Sequence, residues 1–275
     1  VDALRANGHV VGYMGDGVND APPLRNADVG ISVDTATDIA KESSDIILLE
    51  KSLSVLKDGV YEGRRIYGNI MKYMKMALSS NFGNVFSVLV ACIFLPFLPM
   101  IPIQILLQNL VYDFTQIAIP WDNVDEEFMR RPKRWNTRSL SRFMNVLGPV
   151  SSVFDVATFA ALWFVLGYRT AGQQALFQTG WFIEGLISQT LIVHFIRTSK
   201  VPFLQSRADI RLVFSSFCGI LAALVLPAAL HPIASFHFAI MPAGFYGLLV
   251  LVLALYAVAI EAVKRLYIKK TGEWL

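Results

Sequence analysis

Apolar runs near residues 76–95, 102–120, 143–167, 180–197, 211–230 and 243–264 fill most of this chain beyond its first quarter. A transmembrane helix needs about 20 mostly apolar residues, because a rise of 1.5 Å per residue must cross a hydrocarbon core about 30 Å thick. By that measure the chain has about six spans, of which the first two stand out less because they carry polar residues. The composition points the same way: the chain is 55% hydrophobic and 16% charged, against about 45–50% and about 25% for soluble domains. Its partner by this reading is a lipid bilayer. The net charge of +3 is small and says little about partners; no nucleic acid is expected.

Lys and Arg set the orientation. They crowd the 121–142 loop (Arg130, Arg131, Lys133, Arg134, Arg138, Arg142), the 197–211 segment and the tail, whereas 96–101 and 231–242 hold none. Alternate loops, and both chain ends, are therefore expected on the cytoplasmic side, and the basic loop is expected to be solvated and to touch anionic lipid. Trp121, Trp163, Trp181 and Trp274 fall near span ends, where an aromatic belt would sit. Before the first span, Ile66, Ile70, Tyr73 and Ala77 recur at helical spacing among Arg64, Arg65, Lys72 and Lys75, which predicts a basic stalk helix over 56–75 entering the transmembrane domain of 76–275. Cys92 and Cys218 lie in apolar runs and read as small buried residues, with no disulfide or zinc spacing.

Residues 1–55 read as soluble α/β. Short apolar runs at His9–Met14, Asp28–Val33 and Asp45–Glu50 suit strands, and "DTATDIAKESS" between the last two suits a helix. Strands alternating with helices imply a parallel sheet. About fifty residues are too few for a complete domain of this kind, and the chain opens on Val1, so it is expected to be part of a longer protein.

The sharpest local feature is "YMGDGVNDAPPLRNADVGIS", Tyr13–Ser32. Gly15 and Gly17 flank Asp16 at the end of a strand and permit a tight turn close to a ligand. Asp20 precedes Ala21-Pro22-Pro23, a sequence suited to a helix start with Asp20 as the cap. Asp16, Asn19 and Asp20 are thus expected at the carboxyl end of a parallel sheet, where open α/β sheets bind ligands. Two carboxylates and an amide there suit Mg²⁺ beside phosphate. Taken alone, the same dipeptides could simply form a turn.

The whole string resembles the hinge motif of the P-type ATPases, in their phosphorylation domain of haloacid-dehalogenase-like fold, with Pro23 where the family usually has alanine. "SSNFGNVFSVLVACIFLPFLP" and "LLQNLVYDFTQIAIPWD" resemble the family's fifth and sixth membrane helices, and "FQTGWFIEGLISQTLIVHFIRT" resembles the eighth helix of its bacterial magnesium-importing branch. The resemblance implies that Asp16 binds catalytic Mg²⁺, Asn19 contacts an aspartyl phosphate and Asp20 holds the site, with ATP as the substrate of the full-length parent. The family's Asp-Lys-Thr-Gly-Thr and Thr-Gly-Glu-Ser motifs do not occur in the chain. Its missing N-terminal part is therefore an expected partner, and the fragment alone is expected to be inactive.

Asn81, Asn84, Asn109 and Asp113 lie in the first two spans. Asn109 and Asp113 are four apart and share a helix face, as do Asn81 and Asn84, so two adjacent helices could gather all four. Asparagines can also serve as interhelical glue, the reading preferred for Asn81. For Asn84, Asn109 and Asp113 the resemblance implies transport-site ligands, and one carboxylate with amides suits a partly hydrated Mg²⁺. Asp155 and Glu184, also in spans, suit a proton relay, a further ligand or a structural pair. His194 reads as interfacial, and His231 and His237 fall in an outer loop. Two alternatives stay open: transport of Ca²⁺, Ni²⁺ or H⁺ by the same family, and a non-catalytic membrane protein with a degenerate half-domain.

Overall fold

The structure is a computed structural model that describes residues 1–50 and 52–274. The chain divides into two compact units, Val1–Gly63 and Arg64–Leu275.

The first unit opens with helix α1 (Asp2–Ala6) and holds strands β1 (Gly12–Met14), β2 (Val29–Val33) and β3 (Ile46–Leu48), with helices α2 (Ala21–Asn26) and α3 (Asp38–Glu42) in the crossovers. The strands are parallel in the order β1-β2-β3, with Met14 opposite Ile31 and Val33 opposite Leu48. All three expected strands form, each shorter than its apolar run. Leu24, Val33, Ala36 and Ala40 are buried beneath Tyr13 and Leu48, whereas Ile46 and Ile47 stay 47% and 43% exposed. A parallel sheet is ordinarily covered on both faces; Ile46 and Ile47 are successive residues of the edge strand and point to opposite faces, so cover is incomplete on both at β3.

Gly30 lets α2 lie against β2. A Cβ there would come within 2.5 Å of the Leu24 carbonyl oxygen, which is backbone and cannot swing away. Gly30→Ala is expected to cost about 1–3 kcal/mol through this overlap. Faster hydrogen exchange of the β2 amides would register it; unchanged exchange would show that the crossover yields.

The second unit is helical. Helix α4 (Leu53–Phe94) begins before it and spans 42 residues, about 63 Å at the helical rise. Then follow α5 (Pro102–Gln116), α6 (Glu126–Met129), α7 (Thr137–Ala160, continued by a π-helical turn over Ala161–Val165), α8 (Gln174–Ile196), α9 (Ile210–Leu230) and α10 (Ala243–Thr271). The Asn136 side chain caps α7 by accepting from the Arg138 and Ser139 amides.

Among the described residues four helices are long and apolar enough to cross a membrane: α4, α7 with its π turn, α9 and α10. The other two expected spans form helices with different properties. The 15 residues of α5 reach only about 22 Å. The 23-residue α8 is long enough but is interrupted by Gln178, Glu184, Gln189 and His194. Helix α8 packs against α5, α7, α9 and α10, and every residue from Phe177 to Thr190 is buried. A helix enclosed by other helices can carry polar groups that a lipid-facing one cannot.

Several expectations are corrected here. Ile66, Ile70 and Tyr73 are 46–49% exposed, and the buried stripe of α4 is Asn69, Lys72, Met76, Ser79, Gly83 and Ser87. Lipid is as apolar as leucine, so small and polar residues turn inward. Lys72 and Lys75 are therefore buried, not arrayed on a solvated stalk. Trp181 and Trp274 are buried and act as hydrogen-bond donors, not as belt residues. His194 is buried against Ser216 (3.0 Å) and is not interfacial. Cys92 and Cys218 are free, as expected, but exposed.

Candidate functional site

In the first unit the Asp16 loop is organised around Asp20. Its Oδ2 accepts from the amides of Gly17 (2.9 Å) and Asp16 (3.1 Å), and its Oδ1 accepts from the Tyr13 hydroxyl (2.8 Å). The Gly17 amide, and then the Tyr13 hydroxyl, hold the Asp20 carboxyl below the usual carboxylate range, and the same contact pushes the Tyr13 phenol up. The expected cap is corrected: Asp20 makes no side-chain bond to the start of α2 and folds back on the loop instead.

Gly15 makes this possible, since a Cβ there would fall 2.4 Å from that of Asp20. The Asp16 carbonyl accepts from the Thr37 amide (3.1 Å), which ties the loop to the start of α3. The Asp16 and Asn19 side chains are exposed. Asp16, Gly15, Met14, Val33 and Leu48 line a cavity of about 290 Å³ at the carboxyl end of β1.

In the second unit Asn81, Asn84, Gln108 and Asn109 line a cavity of about 320 Å³ between α4 and α5, with Trp181 of α8 on its wall. Gln189 donates to Asn84 Oδ1 at 2.8 Å, which leaves its own Oε1 buried and unpartnered. Asp113, one turn beyond Asn109, is exposed. It lines a separate cavity of about 590 Å³ with Asn69, Tyr73 and Gln116. The three asparagines thus share one cavity, and Asp113 opens into the next. No group of three or more His, Cys, Asp or Glu side chains is placed to hold a metal among the described residues.

Sequence reasoning missed Gln108 and Gln189. Their signal was their position: both are amides one or two turns from a residue already singled out, on helices that must bury polar groups. It also missed a buried charge cluster. Asp122 Oδ2 accepts from Lys72 Nζ (2.7 Å) and Arg197 Nε (2.8 Å), all three at 0–1% exposure. Asp122 Oδ1 accepts from the Asp209 amide (3.1 Å). Arg197 also reaches Ser206 Oγ, which donates in turn to Asp125. Burial pushes the Asp122 carboxyl up, but Lys72 and Arg197 outweigh it and hold the group below the usual range. Beside this cluster Lys75 Nζ donates to the Trp274 carbonyl and sits 4.7 Å above the Phe143 ring, while Trp274 Nε1 donates to the Ile196 carbonyl at 2.9 Å.

Comparison with known proteins places this arrangement in a family. Residues 97–266 match the family described as cation transporting ATPase, C-terminus. The chain is 53% identical over 275 residues, its entire length, to a magnesium-transporting ATPase, P-type 1, of Salmonella typhimurium, and 54% identical over 273 residues to that of Escherichia coli K12. It is 35% identical over 260 residues, 91% of its length, to a calcium-transporting ATPase of Bacillus subtilis. It spans about 30% of the length of the two magnesium-transporting relatives. The chain belongs to the P-type cation-transporting ATPases, as a C-terminal part on the magnesium-transporting branch.

Proposed function

We propose that the chain is the C-terminal part of an ATP-driven magnesium transporter whose full-length form passes through an aspartyl phosphate and carries Mg²⁺ into the cytoplasm. The observation that carries this reading is 53% identity over the whole chain to a magnesium-transporting ATPase. The geometry supports it at two places.

The first is the Asp16 loop. Asp16 presents an exposed carboxylate beside a cavity at the end of a strand, so it suits direct ligation of catalytic Mg²⁺. Both oxygens of Asp20 already accept bonds within the loop, so Asp20 suits holding that ligand in place. Asn19, exposed one residue earlier, suits contact with the aspartyl phosphate. Gly15 and Gly17 let the loop approach a nucleotide-derived phosphate closely. Mg²⁺ bound there would neutralise charge on the transferred phosphoryl group. The first unit would then be the C-terminal part of a haloacid-dehalogenase-like phosphorylation domain, its exposed Ile46 and Ile47 covered by the rest of that domain.

The second is the pair of cavities along α4 and α5. Neutral amides from Asn84 and Asn109, with the single carboxylate of Asp113, suit a divalent ion that keeps several waters. In this reading α5 and α8 cross the bilayer with the four long apolar helices, since α8 is shielded from lipid by its neighbours. Six spans put both ends of the chain on the cytoplasmic side of a bacterial inner membrane, in accord with the Lys and Arg distribution. The phosphorylated aspartate would lie in the remainder of the parent, so the activity belongs to the full-length protein.

The test is ATP hydrolysis by the full-length parent in lipid at fixed MgATP, titrated with free Mg²⁺, Ca²⁺ and Ni²⁺. Asp113→Ala is expected to raise the half-saturating Mg²⁺ at least about tenfold, as loss of a ligand does. Stimulation by Ca²⁺ alone would move the ion, and a variant that behaves like the parent would move the site.

A further inference from the structure

A row of buried polar atoms runs along α4 and α5 between the two cavities. Asn69 and Ser80 of α4 and Tyr112 and Gln116 of α5 are 3–8% exposed. Asn69 Oδ1, Ser80 Oγ, Tyr112 Oη and both polar atoms of the Gln116 side chain have no hydrogen-bond partner among the described residues. The Asn69 amide nitrogen is satisfied: it donates to the Pro120 and Asp122 carbonyls at 2.9 and 3.0 Å. Tyr112 interacts weakly with Ser80 and Gln116, but no pair among them meets hydrogen-bond geometry.

The order of these residues along the helices links the cavities. Asn84 and Asn109 line the amide cavity, and Asn69, Asp113 and Gln116 line the larger one. Ser80 stands one turn before Asn84 on α4, and Tyr112 stands between Asn109 and Gln116 on α5. Ser80 and Tyr112 therefore separate one cavity from the other. The larger cavity reaches Pro120, at the end of the helices that the Lys and Arg distribution puts in the cytoplasm.

Interhelical glue does not account for this row, because glue pairs polar groups and these are unpaired. A buried polar atom left unpaired bears the full cost of its desolvation, so a row of them calls for water or an ion between the helices. Two hydroxyls and two amides offer donors and acceptors together, which suits a cation that travels with its waters. Asp113 is the one charged residue lining the larger cavity. A single carboxylate among neutral groups attracts a divalent cation without retaining it, and conduction needs binding weak enough to leave.

We propose that this seam is a hydrated passage through which a divalent cation moves between the amide cavity and the cytoplasm, with Ser80 and Tyr112 as its constriction. The cation's part rests on the assignment of the amide cavity as the transport site; the water in the seam does not. With transport directed inward the seam is the exit, so damage to it slows release and leaves loading unchanged.

Hydroxyl-radical footprinting of the full-length protein in lipid, read residue by residue by mass spectrometry with and without free Mg²⁺, tests the passage. Tyr112, at 4% exposure, is expected to be oxidised at a rate comparable to that of Tyr61, at 55%, while Phe182, at 0%, stays unmodified. Mg²⁺ is expected to slow the oxidation of Tyr112. An unmodified Tyr112 would overturn the proposal, and wild type alone decides this. If Mg²⁺ leaves Tyr112 unchanged although Asp113→Ala shifts the half-saturating Mg²⁺, the cation leaves by another route and the proposal falls. If neither responds, the transport-site reading fails, while oxidised Tyr112 still establishes the water. Gln116→Leu removes both polar atoms at similar volume. It is expected to lower Mg²⁺-stimulated ATP turnover about tenfold, the equivalent of one hydrogen bond to a charged group, with the half-saturating Mg²⁺ unchanged. Turnover equal to the parent's, or a loss seen in the half-saturating Mg²⁺ instead, would overturn the exit role.

Discussion

Asp122→Ala is expected to destabilise the helical unit by about 3–5 kcal/mol, the cost of removing one partner from a buried ion pair. Asp122 accepts from both Lys72 and Arg197 with all three side chains at 0–1% exposure. Its removal strands two cations that have no route to water. Lys72→Met is expected to cost less, because Arg197 keeps its carboxylate and the new side chain fills the space. Lys200→Ala supplies the control: its pair with Glu127 is 37% and 62% exposed, and exposed pairs contribute at most about 1 kcal/mol. Thermal unfolding of the full-length protein in lipid should therefore rank Asp122→Ala worst, then Lys72→Met, with Lys200→Ala close to the parent. Equal effects for Asp122→Ala and Lys200→Ala would show that water reaches the cluster. The pH dependence has a definite sign. The folded Asp122 carboxyl is held below its ordinary value, so its contribution is complete above the ordinary carboxylate pKa. It is lost only as pH falls through the lower, folded value.

What could be read in advance follows from how local each cause is. The Asp16 loop was legible because glycines, acids and prolines dictate a strand-to-helix turn over a handful of residues. The role of Asp20 was not, because the choice between capping α2 and folding back on Gly17 depends on Tyr13 across the loop. Helices α9 and α10 were plain in their hydropathy because much of their surface is exposed and apolar. Helix α8 read as a span although it is not plainly apolar: enclosure by four helices lets it keep Glu184, Gln189 and His194. The spacing of Ile66, Ile70 and Tyr73 marked α4 as a helix but did not give its inward face, because in a membrane bundle it is the small and polar residues that meet. Asp122 gave no local signal. It stands at the head of an arginine-rich loop, and its two cations arrive from 50 residues before it and 75 residues after it.

Asp16→Asn in the full-length protein is expected to lower phosphoenzyme formation by about 100-fold or more, while thermal stability stays at the parent's value. A metal ion contributes several kcal/mol to phosphoryl transfer, and each 1.4 kcal/mol is about tenfold in rate. The structure separates this loss from unfolding. The bonds that Asp16 contributes to the loop, to Asp20 Oδ2 and from the Thr37 amide, use its backbone, and asparagine preserves both. The side chain itself is exposed, and asparagine matches it in size. Asp20→Asn should behave differently. Asparagine can keep its oxygen on the Gly17 and Asp16 amides and donate to the Tyr13 hydroxyl, but it loses the charge that strengthens all three bonds, so the loop loosens and stability falls together with phosphorylation. Acid-stable phosphate incorporated from labelled ATP reads the chemistry, and thermal unfolding reads the loop. If Asp16→Asn keeps phosphoenzyme within a few-fold of the parent, Asp16 does not hold the catalytic Mg²⁺. If Asp20→Asn loses phosphorylation with its stability intact, Asp20 acts on the metal itself and not by shaping the loop.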